Sequence, residues 1–405
     1  MTSISMRDAN GREISLGPRE IDRGDPLMIW VRPVQPLPAG RYTVAWRTAG
    51  SDGHPSRGTF SFVVLTGAAL PVPGPSVVGA PADTSSSHNA TALSAGGETE
   101  EEADDASSVS NSLARALLFI GLLAFIGATT FRNLVLPRAR EISVELRARM
   151  ESRAAILGLA ASIVLILSAL ARLFLESEMM SAMHDMQAMS MSDMAMHTRW
   201  GFSLRLQLGA AFVALVSFAL AARRFRGAWV VATISAIVIA VTPALAGHAA
   251  ASPGFPTLMI VTDFLHVLGG ASWLGSLLAV MGIGLPLSLT LNGAERWSAV
   301  ASLVNSFSPI ALASAAVVVV SGLIASWVHL DSLPALWQTA YGQVLLVKLF
   351  LVAITLTIGA YNFRRVQPQL VAEVGSHRLR RSAAIELSFG FLILVVTGFL
   401  TGISP

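Results

Sequence analysis

The sequence contains no cysteine. Disulfide frameworks and thiolate metal sites are therefore excluded, and any metal chemistry must use His, Met, Asp or Glu. Charged residues are scarce too, at 13% of the chain, roughly half the share of an ordinary soluble domain. No phosphate-cradling Gly-Lys-Ser/Thr loop or phosphorylated-Asp motif is visible, so no energy-coupling signature accompanies the chain. What is abundant is apolar: 53% of residues are hydrophobic and the mean hydropathy is +0.62, which places the protein in the polytopic membrane class. The isoelectric point near 9.9 does not point to nucleic acid. Most basic residues lie in short loops between apolar runs, where they report orientation.

Eight apolar runs, at about 112–136, 153–175, 201–222, 228–247, 258–282, 308–328, 342–362 and 382–402, are each long enough to span a bilayer. Arginines follow the first run (Arg138, Arg140, Arg147, Arg149, Arg153), the third (Arg223, Arg224, Arg226) and the seventh (Arg364, Arg365, Arg378, Arg380, Arg381). The positive-inside rule makes those loops cytoplasmic and puts both termini outside. The segment 294–307 within the fifth-to-sixth connection reads as a short interfacial amphipathic helix. In this orientation His54, His88, His184, His197, His248 and His329 lie on the outer side, His266 lies in the outer leaflet, and His377 is cytoplasmic.

Asp263 and His266 stand inside the outer third of the fifth run. Ionisable groups at such depth are costly and face a bundle interior or a wet cavity, where they pair or bind something. Their spacing puts them on one helical face, with Met259 one turn from Asp263, while Gly269, Gly270 and Gly275 allow a neighbouring helix to approach closely. Lys348 lies at the same depth as Asp263, about 9 Å below the outer end of its helix, so the two can form a buried ion pair. That pair reads as structural, with direct metal or proton duty for Asp263 as the alternative. Glu386 lies near the cytoplasmic side, level with Arg381 and Arg365, and likewise reads as structural. His266 and His248 are candidate ligands at the outer mouth.

The outward loop 176–200 holds eight of the fourteen methionines. Met179, Met183 and Met186 share one helical face, and Met189, Met191, Met194 and Met196 follow as a looser string, interleaved with His184, Asp185, Asp193 and His197. Thioethers select Cu(I), and imidazole suits copper in either state. A Met stripe usually packs a core, but here it lies in a hydrophilic loop, which favours metal capture over filler.

Residues 1–65 read as short strands punctuated by Pro and Gly turns, with no charged-then-apolar leader ahead of them. Too few strands are present to close a sandwich core comfortably. Residues 66–111 are rich in Pro, Ala, Ser and Gly with an acidic run, the composition of a disordered tether. Residues 112–405 carry the eight runs. The expected fold is an all-α polytopic bundle of about eight transmembrane helices, preceded by a small, partial β-sandwich-like domain and a disordered linker.

Two resemblances attach to these segments. The stretch GRYTVAWRTAGSDGHPSRGTFSFVV from Gly40 resembles the closing strands of the periplasmic copper resistance protein C (CopC) domain. That resemblance implies Cu(II) binding by Asp52 and His54. Residues 112–405 resemble the copper resistance protein D (CopD) membrane family. The matching pieces are AGHAA around His248, TDFLHVLGGASWLGSL with Asp263, His266 and Trp273, SGLIASW from Ser321, YGQVLLVKL with Lys348, and the acidic residue Glu386 in the last run. This second resemblance implies copper handling at a bacterial inner membrane. Copper, as Cu(I) or Cu(II), is then the cargo, the lipid bilayer the setting, and a periplasmic copper chaperone a partner, with no enzymatic activity. Sequestration or sensing without transport, and a haem-type membrane oxidoreductase or assembly factor, are the rival functions.

Overall fold

The computed structural model describes residues 2–22, 28–49, 55–65, 98–181, 196, 198–246, 255–329, 332–367 and 373–401. The chain divides into two units, Met1–Glu101 and Glu102–Pro405.

In the first unit, strands β1 (Thr2–Asp8), β4 (Gly40–Ala49) and β5 (Pro55–Val64) form an antiparallel sheet in the order β1-β4-β5, and β2 (Glu20–Ile21) pairs with β3 (Ile29–Trp30). Alternation along β1 and β4 turns Met6, Tyr42 and Val44 inward onto Ile4, Ile14, Leu16, Leu37, Phe62 and Val64. Tyr42 stacks on Phe62 with ring centroids 5.7 Å apart and donates its hydroxyl proton to the Pro38 carbonyl at 2.8 Å. Trp46 stands opposite Gly58. A side chain at position 58 is excluded, because its Cβ would lie 2.5 Å from the Trp46 ring. One small face of three inward side chains is a thin core, as the shortage of strands implied. β4 and β5 are joined across residues 50–54, which carry Asp52 and His54 and lie outside the described residues.

The second unit contains, among the described residues, eight helices long and apolar enough to cross a membrane. They are α1 (spanning part Val109–Arg138), α2 (Val144–Ser181), α3 (Arg199–Ala222), α4 (Ala228–Ala246), α5 (Pro256–Ser288), α6 (Gly293–His329), α7 (Ala340–Arg365) and α8 (Glu373–Leu400). Helices α2 to α6 pack in chain order, α7 packs on α8, and α5 also touches α8. Enclosure differs sharply: 67% and 61% of the apolar windows of α1 and α5 are buried, against 22%, 17% and 28% for α6, α7 and α8. Thus α1 and α5 form the centre, and the helix carrying Asp263 and His266 is one of the best shielded.

Glycine makes that centre possible. Gly275 of α5 lies backbone to backbone against Leu123 and Gly127 of α1; a Cβ on Gly275 would meet the Leu123 carbonyl, the Gly127 Cα at 2.8 Å and its nitrogen at 3.0 Å. Gly269 meets α6, where an added Cβ would stand 3.1 Å from both Ser314 O and Val318 Cγ2, whereas a Cβ on Gly270 would meet only Val318 Cγ2, at 3.9 Å. Two of the three glycines expected at helix contacts therefore serve that role.

Two expectations are corrected. Residues 294–307 do not form a separate interfacial helix. They begin α6, and Ala299, Val300 and Leu303 are buried, so the amphipathic pattern reflects packing against protein. Helix α1 starts at Glu98, inside the stretch assigned to the tether, so residues 98–111 are helical; the acidic residues at its start are favourably placed at a helix N-terminus.

Among the described residues, four helical turns are of the wider π type: Phe131–Val135 in α1, Ala271–Gly275 and Val280–Gly284 in α5, and Asn362–Val366 ending α7. Such turns are rare and occur frequently at functional sites.

Candidate functional site

Helix α5 brings Met259, Asp263 and His266 onto one stripe, four and three residues apart. Met259 is fully enclosed, at 1% exposure, and Asp263 and His266 are half-buried. The ring of His266 lies over α6: a Cβ on Gly322 would come within 3.3 Å of His266 Cε1. Beside it, Nδ1 is 3.0 Å from the Ser321 hydroxyl oxygen.

The hydrogen count at Ser321 assigns the ring's tautomer. Ser321 has one hydroxyl proton and donates it back along α6, 2.6 Å to the Val317 carbonyl, with Val318 O at 3.2 Å. Towards His266 the oxygen is then an acceptor, so Nδ1 carries the proton and Nε2 presents its lone pair. The Val318 carbonyl of α6 is a further acceptor acting on the ring. Among the described residues Nε2 makes no hydrogen bond to a side chain. A second-shell acceptor that fixes ring orientation and exposes the other nitrogen is the usual arrangement behind a metal-binding imidazole.

Around this histidine α7 contributes Tyr341 and Lys348. Both interact electrostatically with Asp263, and the Lys348 ammonium also acts on the His266 ring. This cluster thus joins a carboxylate, an ammonium, a phenol and an imidazole.

Further along α5, Trp273 and Glu386 form a second polar centre. Trp273 donates its indole N–H to Glu386 Oε1 at 3.1 Å, and the Asn362 amide donates to Oε2 at 3.1 Å. Glu386 is 3% exposed. Level depth with Arg365 and Arg381 suggested arginine neighbours, but the partners of Glu386 among the described residues are these two neutral donors, supplied by π-turns of α5 and α7. Ser321, Gly322, Tyr341 and Asn362 are the residues of these two centres that periodicity and depth do not single out. Their signal is faint but present, as small or polar side chains in apolar runs level with the ionisable groups.

Of the other candidate ligands, Met196 is 61% exposed, and its sulfur accepts a hydrogen bond from Arg205 at 3.5 Å. Met179 lies in the last turn of α2. Met183, His184, Met186, Met189, Met191, Met194, His197 and His248 lie outside the described residues, as do Asp52 and His54. Among the described residues no group of three or more His, Asp or Glu side chains is arranged to hold a metal ion. A soft ligand set of the kind the Met-rich loop suggested would not be of that composition.

The family model of copper resistance protein D matches residues 301–400, that of the copper resistance protein D-like N-terminal domain matches residues 105–258, and that of the CopC domain matches residues 1–65. Ser321, Lys348, Asn362 and Glu386 fall within the first of these; Asp263, His266 and Trp273 fall between the two membrane matches. The chain is 26% identical over 405 residues to the copper transport protein CutJ of Bacillus subtilis (strain 168), covering 99% of this chain and 67% of that protein. It is 48% identical over 40 residues to copper resistance protein C of Escherichia coli and 46% identical over 41 residues to that of Pseudomonas syringae pv. tomato, each match covering 10% of this chain and 32% of the relative. No solved structure matches it significantly. With eight apolar helices behind a small antiparallel sheet and all three family models in the expected order, the chain is a multi-pass membrane protein and a CopC–CopD fusion, a member of the copper resistance protein D family with a CopC domain at its N-terminal end.

Proposed function

We propose that this protein captures copper on the outer face of a bacterial inner membrane and conducts it inward through the helical bundle, as a conduit and not as an enzyme. The observation that carries the proposal is the His266 arrangement: an imidazole within a membrane-spanning helix, tied through Nδ1 to Ser321, with Nε2 available and Met259 on the same stripe. Copper is the cargo. Asp52 and His54 in the CopC domain would meet Cu(II), and the Met-rich segment from Met179 to Met196, with His184 and His197, would hold Cu(I). Residues 1–65 then serve as the capture domain, the following tether joins it to the bundle, and His248 and His266 form the entry site, with both termini outside. Exchange between thioethers and imidazoles keeps each step weak enough to release, as conduction requires. Asp263 and Lys348 balance one another's charge beside the entry site. The similarity to CutJ, a copper transport protein, supports transport as the outcome, and a copper chaperone in the periplasm is the natural donor.

The test is uptake of external Cu(I) by proteoliposomes that enclose a Cu(I)-chelating dye. Wild-type protein is expected to give a dye response, and a His248→Ala/His266→Ala variant is expected to lose it. Copper bound to the wild-type protein without uptake would replace conduction by sequestration or sensing.

A further inference from the structure

Between α5, α6, α7 and α8 lies a cavity of about 470 Å3. Its walls are mostly apolar, but Glu386, Asn362, Trp273 and Met281 all line it, and Gln367 and Arg364 stand among its lining residues from the end of α7. None of these residues takes part in the outer site.

The polarity of this cavity is unbalanced. Glu386 accepts N–H bonds from Trp273 and Asn362, both neutral, and among the described residues no basic side chain is paired with it. Asn362 directs its N–H towards Glu386, which leaves Oδ1 buried with no donor. A carboxylate held only by neutral donors and an amide oxygen with no donor thus line one partly open cavity. A structural staple would satisfy its acceptors, because unpaired buried acceptors cost free energy in proportion to their polarity. Asn362 Oδ1, an acceptor left without a donor beside a carboxylate held only by neutral N–H groups, suits a cation.

The chemistry of the lining narrows which cation. The Met281 thioether is a soft donor beside the two oxygens, and most of the remaining wall is apolar, so a strongly hydrated hard ion would lose more solvation than this lining returns. Backbone geometry is a second, independent sign. Trp273, Met281 and Asn362 each sit in a π-turn, Ala271–Gly275, Val280–Gly284 and Asn362–Val366 respectively. Three of the four described π-turns therefore converge on this one cavity, where rare helical geometry most often marks function.

We infer that this cavity is a second cation site, in which the Glu386 carboxylate, Asn362 Oδ1 and the Met281 sulfur hold Cu(I) after it has left the outer site. The identity of the cargo rests on the conduit reading; the existence of a soft-cation site does not.

The test uses purified full-length protein in detergent with Ag(I) as a redox-inert probe, measuring bound silver by equilibrium dialysis and tryptophan fluorescence in parallel. Wild type is expected to show silver-dependent quenching of Trp273, identified as the component missing in Trp273→Phe. Glu386→Gln is expected to bind one Ag(I) fewer per chain and to lose that quenching. This variant keeps its contacts, since a glutamine can accept from Trp273 and donate to a rotated Asn362 amide. Met281→Leu, which conserves volume, is expected to weaken the same equivalent, so the test survives if Glu386→Gln folds poorly. His266→Ala is expected to lose a different equivalent and keep the quenching. Wild-type stoichiometry and quenching in both Glu386→Gln and Met281→Leu would overturn the site, as would quenching that follows pH but not silver, which would assign Glu386 to a proton. Failure of copper uptake by wild-type proteoliposomes would sink the conduit reading while leaving the silver result to decide this one.

Discussion

Replacing Ser321 by alanine removes one hydroxyl and tests whether the tautomer of His266 controls copper binding. In the wild type the Ser321 oxygen accepts from Nδ1 at 3.0 Å while spending its own proton on the Val317 carbonyl at 2.6 Å. Alanine deletes both bonds but orphans no helical group, because a carbonyl inside α6 keeps its i+4 amide partner. The fold therefore should not suffer, although Ser321 is only 4% exposed. What is lost is the constraint that holds the proton on Nδ1 and the ring over Gly322. Loss of such a second-shell partner lowers metal affinity about 10- to 100-fold, or about 1.4 to 2.8 kcal/mol. The assay is competition between purified protein and a chromophoric Cu(I) chelator, with the His266→Ala variant defining which equivalent belongs to this site. Ser321→Ala is expected to weaken that equivalent by this factor with an unchanged melting temperature, and Ser321→Thr, which restores the hydroxyl, is expected to recover most of it. An unchanged affinity in Ser321→Ala, alongside a clear loss in His266→Ala, would refute the tautomer argument.

The other expectations concern the scaffold and the rival chemistry. Gly275→Ala places a methyl group against the Leu123 carbonyl and the Gly127 backbone, and neither can move aside as a side chain would; a loss of about 3 kcal/mol or more is expected in thermal unfolding. Gly270→Ala, whose new methyl meets only Val318 Cγ2 at 3.9 Å, is the control and should be neutral or slightly stabilising. Asp263→Asn and Lys348→Met are each expected to destabilise by about 3 to 5 kcal/mol, with the double variant recovering much of that loss, since removing one member leaves an uncompensated charge in the bundle. Simple additivity in that cycle would show that the two do not balance each other. Purified protein is expected to lack a Soret absorbance, because among the described residues His266 is the one histidine within a membrane-spanning segment, where bis-histidine haem needs two imidazoles on facing helices; a Soret band that disappears with His266→Ala would restore the haem reading.

Much of this architecture was legible because membrane physics is severe. Apolar runs of the right length, and arginines concentrated in alternate loops, leave few arrangements for the chain. The same severity exposed Asp263, His266, Lys348 and Glu386, since each stands out against its apolar neighbours and must have a reason to be there. Partnership was harder to read. Lys348 was placed near Asp263 by matching depths, and the two do interact. Depth suggested arginine neighbours for Glu386 too, yet an indole and an amide hold it. The difference lies in the neighbours' freedom. Arg365 sits at the end of α7 and Arg381 at the start of the apolar part of α8, both exposed, where long side chains can reach the interface and keep their charge hydrated, so proximity in depth gave them no cause to turn inward.

The π-turns explain the remaining blindness. A regular helix carries a fixed angular step per residue, so the face that each residue presents can be counted from the sequence. Every π-turn inserts an extra residue into that count. The two in α5 lie between His266 and the end of the helix, so a projection that correctly places Met259, Asp263 and His266 on one stripe is progressively wrong for Trp273 and Met281. The turn that begins at Asn362 displaces that residue in the same way. Regular counting thus finds the outer site, which lies above the first π-turn of α5, and misses the inner one, which lies among them. The irregularity that hides the inner cavity from the sequence is the same one that lets neighbouring helices aim polar groups into it.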